Sequence, residues 1–222
     1  MIPDDPRLRR QLVSAARRAE ALDLVAYAQG NLSARIPRTE YILITPTSVP
    51  YAEMRPEDIV TVDLDGRKVH GALDPSSETP VHILTYRARP GVGACIHVEP
   101  PYVNALGVIG AEIPNVLGNF VYLFGGRGLA VVPCLHSGTE GFAQASVRAM
   151  GDRFGAVWKN HGLFCVGQDI GHALNRCIAA EQAARVYYLA LVARAGEIAL
   201  VPAEARDAMV ETARARGWVR PV

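Results

Sequence analysis

The sequence lacks a continuous apolar run of the roughly 18–20 residues that a membrane-spanning helix needs. Residues 1–22 are charged and amphipathic, so they also lack the uninterrupted apolar stretch of a secretory signal. These two absences predict a cytoplasmic protein that works without a membrane.

An excess of charge of one sign is missing as well, because 23 Lys and Arg residues face 22 Asp and Glu residues and leave a net charge of +1. Such a balance provides no basic surface for nucleic acid or for an anionic membrane. The 20 Gly and 15 Pro residues among 222 are too few for a low-complexity chain. With half of the residues hydrophobic, we expect one globular domain over residues 1–222.

Cysteine is scarce and shows no C-x-x-C spacing. The four cysteines are Cys95, Cys134, Cys165 and Cys177, and all lie in apolar segments of the sequence. We therefore expect buried free thiols in a reducing cytosol rather than disulfides or a thiolate metal site.

Hydrophobic spacing and turn residues predict a mixture of helices and strands. Helices are expected to begin at residue 6 and to span residues 81–89, 101–109, 170–194 and 202–216. Strands are expected at residues 41–44, 60–64, 68–70, 92–96, 129–132, 156–158 and 163–166, with a hairpin turn at Asp65-Gly66 and a further turn at residues 30–33. Because the elements do not alternate strictly as β-α-β units, the pattern predicts one α/β domain with a mixed sheet.

Two histidines and a carboxylate have the spacing of a metal site. His97 and Glu99 are separated by one residue at the end of a predicted strand, where residues i and i+2 point to the same side. His161 would supply a third ligand from a distant turn. Two imidazoles and one carboxylate suit catalytic zinc, manganese, cobalt or ferrous iron. A single histidine is more often a hydrogen-bonded residue than a ligand, so the H-x-E pattern alone leaves both interpretations open.

Ser76-Ser77-Glu78 lies at the predicted start of a helix. Hydroxyls and free backbone N–H groups there can bind phosphate or carboxylate, and a partly buried Glu78 near the metal can act as a general base. A plain helix cap with a surface Glu78 is the alternative. His82 follows Glu78 by four residues on the same helical face and can orient its carboxylate.

Six short motifs occur along the chain in the order G-N-x-S, T-P-T-x, S-S-E, R-A-R-P-x-V-G-A, I-H-x-x and N-H-G. In this combination the sequence resembles the class II aldolase/epimerase (aldolase–adducin) family from about residue 12 to residue 197. The resemblance implies a three-layer α/β/α domain with a central mixed, mainly antiparallel sheet. It also implies a homotetramer with active sites between subunits, and one divalent metal ion per chain, usually zinc, that stabilises an enolate-like anion.

The resemblance also implies roles for individual positions. His97 and His161 match two of the family's three metal-ligand histidines, and Glu78 matches its catalytic acid/base. The residues that match the contacts to the substrate phosphate are Asn31, Thr47, Ser76 and Ser77. These matches imply a small anionic substrate.

Three positions depart from the family pattern. Glu99 replaces the second metal-ligand histidine, which adds negative charge and shifts the metal preference towards manganese or iron. Ser48 replaces a glycine of the phosphate loop and either crowds a phosphate or gives a different anion one more hydroxyl. Cys134 stands at the position of a tyrosine proton donor, which leaves His136 as a candidate replacement.

The segment of residues 119–128 is unusually aromatic. If it lines the site, Phe120, Tyr122 or Phe124 can pack on a flat or apolar substrate while Arg127 pairs with the substrate's carboxylate. The alternative, which ordinary core statistics favour, is a core strand followed by a surface Arg127.

The sequence thus predicts a metal-dependent carbon–carbon lyase in which His97, Glu99 and His161 hold the metal and Glu78 carries the proton. The reaction is retro-aldol cleavage of a hydroxy-carbonyl compound or decarboxylation of a keto or hydroxy-aromatic acid, both through a metal-stabilised enolate. One alternative is a non-haem Fe(II) oxygenase of an aromatic or keto acid, because H-x-E…H matches its facial triad. Another is an adducin-like binding domain without catalysis, which predicts joint loss of ligands and acid/base, whereas Glu78, His97 and His161 all remain.

Overall fold

The computed structural model describes residues 4–193 and 196–220, and one sheet of eight strands forms its centre. The strands are β1 (Asn31–Arg35), β2 (Tyr41–Ile44), β3 (Val60–Asp63), β4 (Lys68–His70), β5 (Ala94–Val98), β6 (Ala130–Val132), β7 (Gly155–Trp158) and β8 (Gly162–Gly167). Their order is β4-β3-β2-β1-β5-β8-β7-β6, and every neighbouring pair is antiparallel except β6 and β7. The predicted mixed, mainly antiparallel sheet is confirmed.

Helices cover the sheet on both sides. They are α1 (Pro6–Ala21), α2 (Thr79–Ala88), α3 (Pro101–Val108), α4 (Gly118–Phe124), α5 (Glu140–Met150), α6 (Ile170–Ala193) and α7 (Ala203–Ala215). Helix α6 packs along β5 and β8 and is contacted by α1, α3 and α4, whereas α2 and α5 pack against each other. The three-layer α/β architecture is therefore confirmed. The predicted end of the long helix at Arg194 lies outside the described residues.

Helix α2 positions part of the site because its buried face repeats every four residues. It begins directly after Glu78, and Pro80 occupies its first turn, where a missing backbone N–H costs nothing. His82 and Tyr86 follow Glu78 at intervals of four, and all three side chains are buried. This spacing places them one above another on the face that meets the sheet.

The predicted turn at residues 30–33 is wrong, because β1 begins at Asn31 and pairs with both β2 and β5. Only Gly30 has turn geometry, with φ at +73°, and a Cβ there would lie 2.5 Å from the carbonyl oxygen of His97. Asn31 and Ser33 resemble turn residues in the sequence, yet both are buried in the strand and form side-chain hydrogen bonds there. Tertiary partners therefore outweigh local turn preference.

The aromatic segment belongs to the core and is followed by an exposed Arg127, as core statistics favour, but residues 118–124 form α4 rather than the expected strand. Phe120 and Phe124 are fully buried in the core, and Tyr122 packs edge-on against Trp218. Gly125 ends the helix in the left-handed region, with φ at +62°. A short apolar run is compatible with either a buried strand or a buried helix, so periodicity alone did not distinguish them.

Two smaller corrections concern the cysteines and α5. Cys95, Cys165 and Cys177 are buried free thiols as predicted, but Cys134 is exposed in the segment after β6. Helix α5 was not predicted, although Thr139 caps it by accepting a hydrogen bond from the backbone N–H of Phe142 at 3.2 Å. Within residues 4–193 and 196–220, no helix combines the length and the apolar character needed to cross a membrane.

Candidate metal centre

The candidate site is a cavity of about 200 Å³ where β1, the end of β5, the start of α2 and the turn before β8 meet. The register of the sheet places Asn31 of β1 opposite His97 of β5. His161 lies in the turn between β7 and β8, directly after Asn160, whose φ is +58°. The predicted site residues that line the cavity are Asn31, Thr47, Ser48, Ser76, Ser77, Glu78, His97, Glu99 and His161.

The two imidazoles converge on the carboxylate of Glu78. His97 Nε2 lies 3.4 Å from Glu78 Oε2, and His161 Nε2 lies 3.3 Å from Glu78 Oε1. The backbone carbonyl of Leu163 accepts a hydrogen bond of 3.1 Å from His97 Nδ1, so the lone pair of His97 Nε2 points towards Glu78. A carbonyl on the far nitrogen is the usual support of a metal-ligating histidine.

Burial determines the charge states of these groups. It lowers the pKa of His97 and of His161 to about 4, so both imidazoles are neutral near pH 7. Burial also raises the pKa of Glu78, against the hydrogen bond from Asn31 and the charge of His161. Neutral imidazole nitrogen and carboxylate oxygen are the protonation states that bind metal.

This donor set fits a divalent cation. Suitable ligand atoms of Glu78, His97 and His161 all lie within 4.8 Å of one another, so this group could hold a metal ion. The Nε2 lone pair of His97 and the two carboxylate oxygens are all acceptors, and Glu78 Oε1 accepts no hydrogen bond from the described residues. Glu78 Oε2 accepts a hydrogen bond from Asn31 Nδ2, so Oε1 and the His97 Nε2 lone pair are the acceptors without a donor among the described residues, an arrangement that is electrostatically unfavourable unless positive charge lies between them.

Glu99 lies at the edge of this group. Its Oε1 is 3.9 Å from His97 Nε2, and about a quarter of its side chain is exposed. Burial raises the pKa of Glu99, with a further contribution from the negative charge of Glu78. The sequence analysis placed Glu99 among the ligands and Glu78 outside them, whereas the structure brings Glu78 closer to both imidazoles than Glu99 comes to His97.

Apart from Ser137, four of the residues that line the cavity carry hydroxyl groups, namely Thr47, Ser48, Ser76 and Ser77. The Oγ atoms of Thr47 and Ser48 are 3.5 Å apart, and Ser76 Oγ accepts a hydrogen bond of 3.2 Å from the backbone N–H of Glu78. Ser48 has φ at +59°, in the left-handed region that favours glycine. The described lining includes no Lys or Arg, so any anion here would be bound by neutral donors.

Two predicted residues lie outside this cavity. Arg127 forms an ion pair with Asp152 and lines a separate cavity together with Phe154 and Arg214. His136 is exposed, although its neighbour Ser137 lines the candidate site. The structure therefore does not bring Arg127 or His136 to the imidazoles.

Trp158 was missed by the sequence analysis. Its ring centroid lies 4.7 Å from that of His97 and 5.1 Å from that of His161, and it forms one wall behind both imidazoles. Its position near the end of a predicted strand, three residues before His161, was the available signal.

Comparison with known proteins identifies the family. Residues 10–188 match the family described as the Class II Aldolase and Adducin N-terminal domain. A 5-deoxy-D-ribulose 1-phosphate aldolase of Bacillus thuringiensis serovar kurstaki is 30% identical over 180 residues, which are 81% of this chain and 84% of that relative. An L-ribulose-5-phosphate 4-epimerase, UlaF, of Salmonella paratyphi B is 29% identical over 199 residues, which are 83% of this chain and 85% of that relative.

The fold agrees with these sequence relatives. A solved structure of an L-fuculose 1-phosphate aldolase superposes with a TM-score of 0.89 at 26% identity, covering 95% of this chain and 98% of that one. The sequence matches and the superposition together show that this chain belongs to the class II aldolase and adducin family.

Proposed function

We propose that this protein is a metal-dependent carbon–carbon lyase that cleaves a small anionic hydroxy-carbonyl compound by a retro-aldol reaction. The observation that supports this most directly is the Glu78 carboxylate held between two neutral imidazoles, at 3.4 Å from His97 Nε2 and 3.3 Å from His161 Nε2. That arrangement combines a metal-ligand set with a carboxyl group whose raised pKa suits proton transfer.

In this proposal His97, His161 and Glu99 hold one divalent metal ion, with Glu78 beside it. Zinc is the ion that the family resemblance implies, and the carboxylate of Glu99 makes manganese, cobalt or iron alternatives. When bound, the ion supplies positive charge next to the carbonyl oxygen on which negative charge develops.

The proton balance of a retro-aldol cleavage can be met by Glu78 alone. The carboxylate takes the proton of the substrate hydroxyl while the adjacent carbon–carbon bond breaks. The electron pair of that bond passes into the neighbouring carbonyl group and gives an enediolate, and an aldehyde leaves. The Glu78 carboxyl then returns the proton to the carbanionic carbon, so the residue ends in its starting state. We assign this exchange to Oε1, the buried oxygen that accepts no hydrogen bond from described residues.

The anionic end of the substrate is proposed to lie against Thr47, Ser48, Ser76 and Ser77. These hydroxyl-bearing residues line the same cavity as the imidazoles, together with Glu78, the N-cap residue of α2. The relatives are named for 5-deoxy-D-ribulose 1-phosphate and L-ribulose 5-phosphate, both small phosphorylated sugars. We therefore propose a sugar phosphate, or a carboxylate of similar size, as the substrate. Decarboxylation of a keto acid would use the same enolate chemistry.

The proposal is tested by combining metal analysis with a substrate panel. Protein purified without added metal or chelator is analysed for metal content and then assayed with 5-deoxy-D-ribulose 1-phosphate. Retro-aldol cleavage of this ketose between C3 and C4 gives dihydroxyacetone phosphate and acetaldehyde. We expect about one zinc, manganese or cobalt ion per chain, and cleavage that is lost in Glu78→Gln but kept in the surface control Glu40→Gln.

Other outcomes would replace the proposal. Tightly bound ferrous iron with substrate-dependent oxygen uptake would favour an oxygenase, since two histidines and one carboxylate also form that facial triad. A chain that binds no metal under any condition would contradict both catalytic functions and favour an adducin-like binding domain.

We further propose that the protein is a homo-oligomer, with a tetramer as the form the family resemblance implies. The supporting observation is a group of exposed apolar side chains on the C-terminal half of α6, namely Val186, Tyr188, Leu189, Leu191 and Val192. Light scattering after gel filtration tests this, and a monomer mass at micromolar concentration would contradict it.

A further inference from the structure

A continuous chain of side-chain hydrogen bonds leads from the core to Glu78. Tyr86 OH and Ser33 Oγ are 2.8 Å apart, and Ser33 Oγ lies 2.6 Å from His82 Nδ1. His82 Nε2 lies 2.6 Å from Asn31 Oδ1, and Asn31 Nδ2 donates to Glu78 Oε2 at 2.8 Å. Five residues are thereby linked, and none of the first four is a proposed metal ligand.

The spacing of residues in one helix and one strand brings the members of this hydrogen-bond chain together. Helix α2 supplies Tyr86 and His82, which follow Glu78 at intervals of four on one helical face. Strand β1 supplies Asn31 and Ser33, which as residues i and i+2 point to the same side of the sheet. Ser33 and His82 are completely buried, and Asn31 is 4% exposed, so bulk water does not compete for these hydrogen bonds.

The donor and acceptor properties of these groups give all the hydrogen bonds between Tyr86 and Glu78 the same donor-to-acceptor direction. An ionised Glu78 can only accept, so Asn31 Nδ2 donates to it and Asn31 Oδ1 is left to accept from His82 Nε2–H. Burial lowers the pKa of His82 to about 3, so its imidazole is neutral and Nδ1 must accept from the Ser33 hydroxyl. Ser33 Oγ then accepts from the Tyr86 hydroxyl. Every donor therefore points towards Glu78.

We propose that His82 is a positioning residue, which fixes the Asn31 amide so that Glu78 Oε2 is held as an acceptor and Oε1 exchanges the proton with the substrate. Ser33 and Tyr86 act through His82 by selecting its Nε2–H tautomer. If the Asn31 amide turned over, its oxygen would face Oε2 at hydrogen-bond distance, and two acceptors would repel each other. The carboxylate would then turn or take a proton on Oε2, the oxygen that points away from His161.

This inference rests on the proposed role of Glu78 in proton transfer, but its first test does not require activity. Nitrogen-15 NMR of the zinc-loaded full-length protein reports which imidazole nitrogen of His82 carries hydrogen, with the signal assigned by its loss in His82→Gln. We expect the Nε2–H tautomer at pH 6 to 8. The Nδ1–H tautomer would overturn the proposal, because the amide of Asn31 would then be turned over.

The second test separates proton transfer from binding. The assays are cleavage of 5-deoxy-D-ribulose 1-phosphate and deuterium uptake at the hydroxymethyl carbon of dihydroxyacetone phosphate in heavy water. Removal of a supporting partner outside the ligand set costs about 10–100-fold in activity. We expect His82→Leu and Ser33→Ala to lower kcat and deuterium uptake in that range while KM changes less than about twofold, the signature of a transition-state effect.

Two controls make this result specific. His82→Gln places an amide N–H donor where the imidazole Nε2–H was, and should recover most of kcat. Ser146→Ala removes a similarly buried hydroxyl on α5 that is not part of the hydrogen-bond chain, and it should leave kcat unchanged. The proposal would be contradicted by native kcat in both Ser33→Ala and folded His82→Leu. It would also be contradicted if KM changed by as large a factor as kcat, or if His82→Gln failed to recover kcat. If His82→Leu fails to fold, the kcat values of Ser33→Ala and His82→Gln test the proposal instead.

If the proposed function itself is wrong, the assays should give different results from those that overturn only the role of His82. Full turnover in Glu78→Gln, or neither cleavage nor deuterium uptake in the wild-type protein, would remove proton transfer by Glu78 and the present inference with it. A wild-type enzyme that needs Glu78 but not His82 would leave the proposed function intact and overturn only the positioning role.

Discussion

The Nε2 atom of His161 lies 3.3 Å from Oε1 of Glu78, and this contact joins the turn before β8 to the start of α2. The other oxygen of the same carboxylate faces His97 at 3.4 Å. One side chain therefore touches both imidazoles of the candidate metal centre.

Glu99→Ala should lower the metal content of the purified protein sharply, because the substitution removes a carboxylate 3.9 Å from His97 Nε2. Elemental analysis after a fixed period of dialysis measures this, with exposed Glu40→Ala as the matched control. An unchanged metal-to-protein ratio would show that Glu99 is not a ligand. Glu99→His should keep lyase activity, whereas an iron oxygenase would be disabled by loss of the carboxylate.

Trp158 should report metal binding without any substrate. Its ring lies 4.7 Å from the His97 ring and 5.1 Å from the His161 ring, so a cobalt ion held there should quench its fluorescence. The chain has two tryptophans, and Trp218→Phe leaves Trp158 as the reporter. We expect saturable quenching that disappears in His97→Ala and persists in the surface variant His70→Ala. Equal quenching in both variants would place the bound cobalt elsewhere.

Ser48→Gly should stabilise the protein and lower its affinity for anions. Ser48 has φ at +59°, a conformation that costs a residue with a Cβ about 1–2 kcal/mol. Glycine avoids this strain but gains freedom in the unfolded chain, so we expect the free energy of unfolding to rise by roughly 0.5–1 kcal/mol. Urea denaturation with and without inorganic phosphate measures both effects.

The matched control for Ser48→Gly is Ser77→Gly, because Ser77 lines the same cavity without a positive φ. That substitution removes a hydroxyl but relieves no strain, so it should lower the free energy of unfolding slightly. Equal stability changes in the two variants would contradict the role assigned to the backbone of Ser48.

His82 should make the free energy of unfolding fall as the pH falls below about 6.5. Burial lowers the pKa of His82 to about 3 in the folded protein, against about 6.5 for an unfolded histidine. Between these values the unfolded chain binds a proton that the folded protein does not, so stability rises with pH. One such group contributes a slope of up to about 1.4 kcal/mol per pH unit.

Urea denaturation at pH 4.5 to 7 in the presence of a chelator measures this slope. It should be shallower in His82→Gln than in the wild-type protein, and unchanged in the exposed control His70→Gln. Identical slopes in the wild-type protein and His82→Gln would mean that His82 titrates as it does in the unfolded chain.

Much of the fold was predictable because its signals are local. The Asp65-Gly66 hairpin, the strand ending near His97 and the start of α2 depend on residues a few positions apart. The exceptions are short segments whose sequence is compatible with two different secondary structures. Asn31 and Ser33 are polar enough for a turn but find buried partners in a strand, and residues 118–124 are apolar enough for a strand but form a helix.

The sequence by itself determined which chemical groups this protein has, their order along the chain and, through the motifs, its family. It placed two histidines, two carboxylates and a group of hydroxyls in segments that the fold brings together. Only the tertiary structure decided that Glu78 lies between the imidazoles, that His82 reaches Glu78 through Asn31, and that Arg127 pairs with Asp152 instead. The physical reason is that such contacts join residues distant in sequence, whose separation depends on strand register and helix packing and leaves no local pattern to detect.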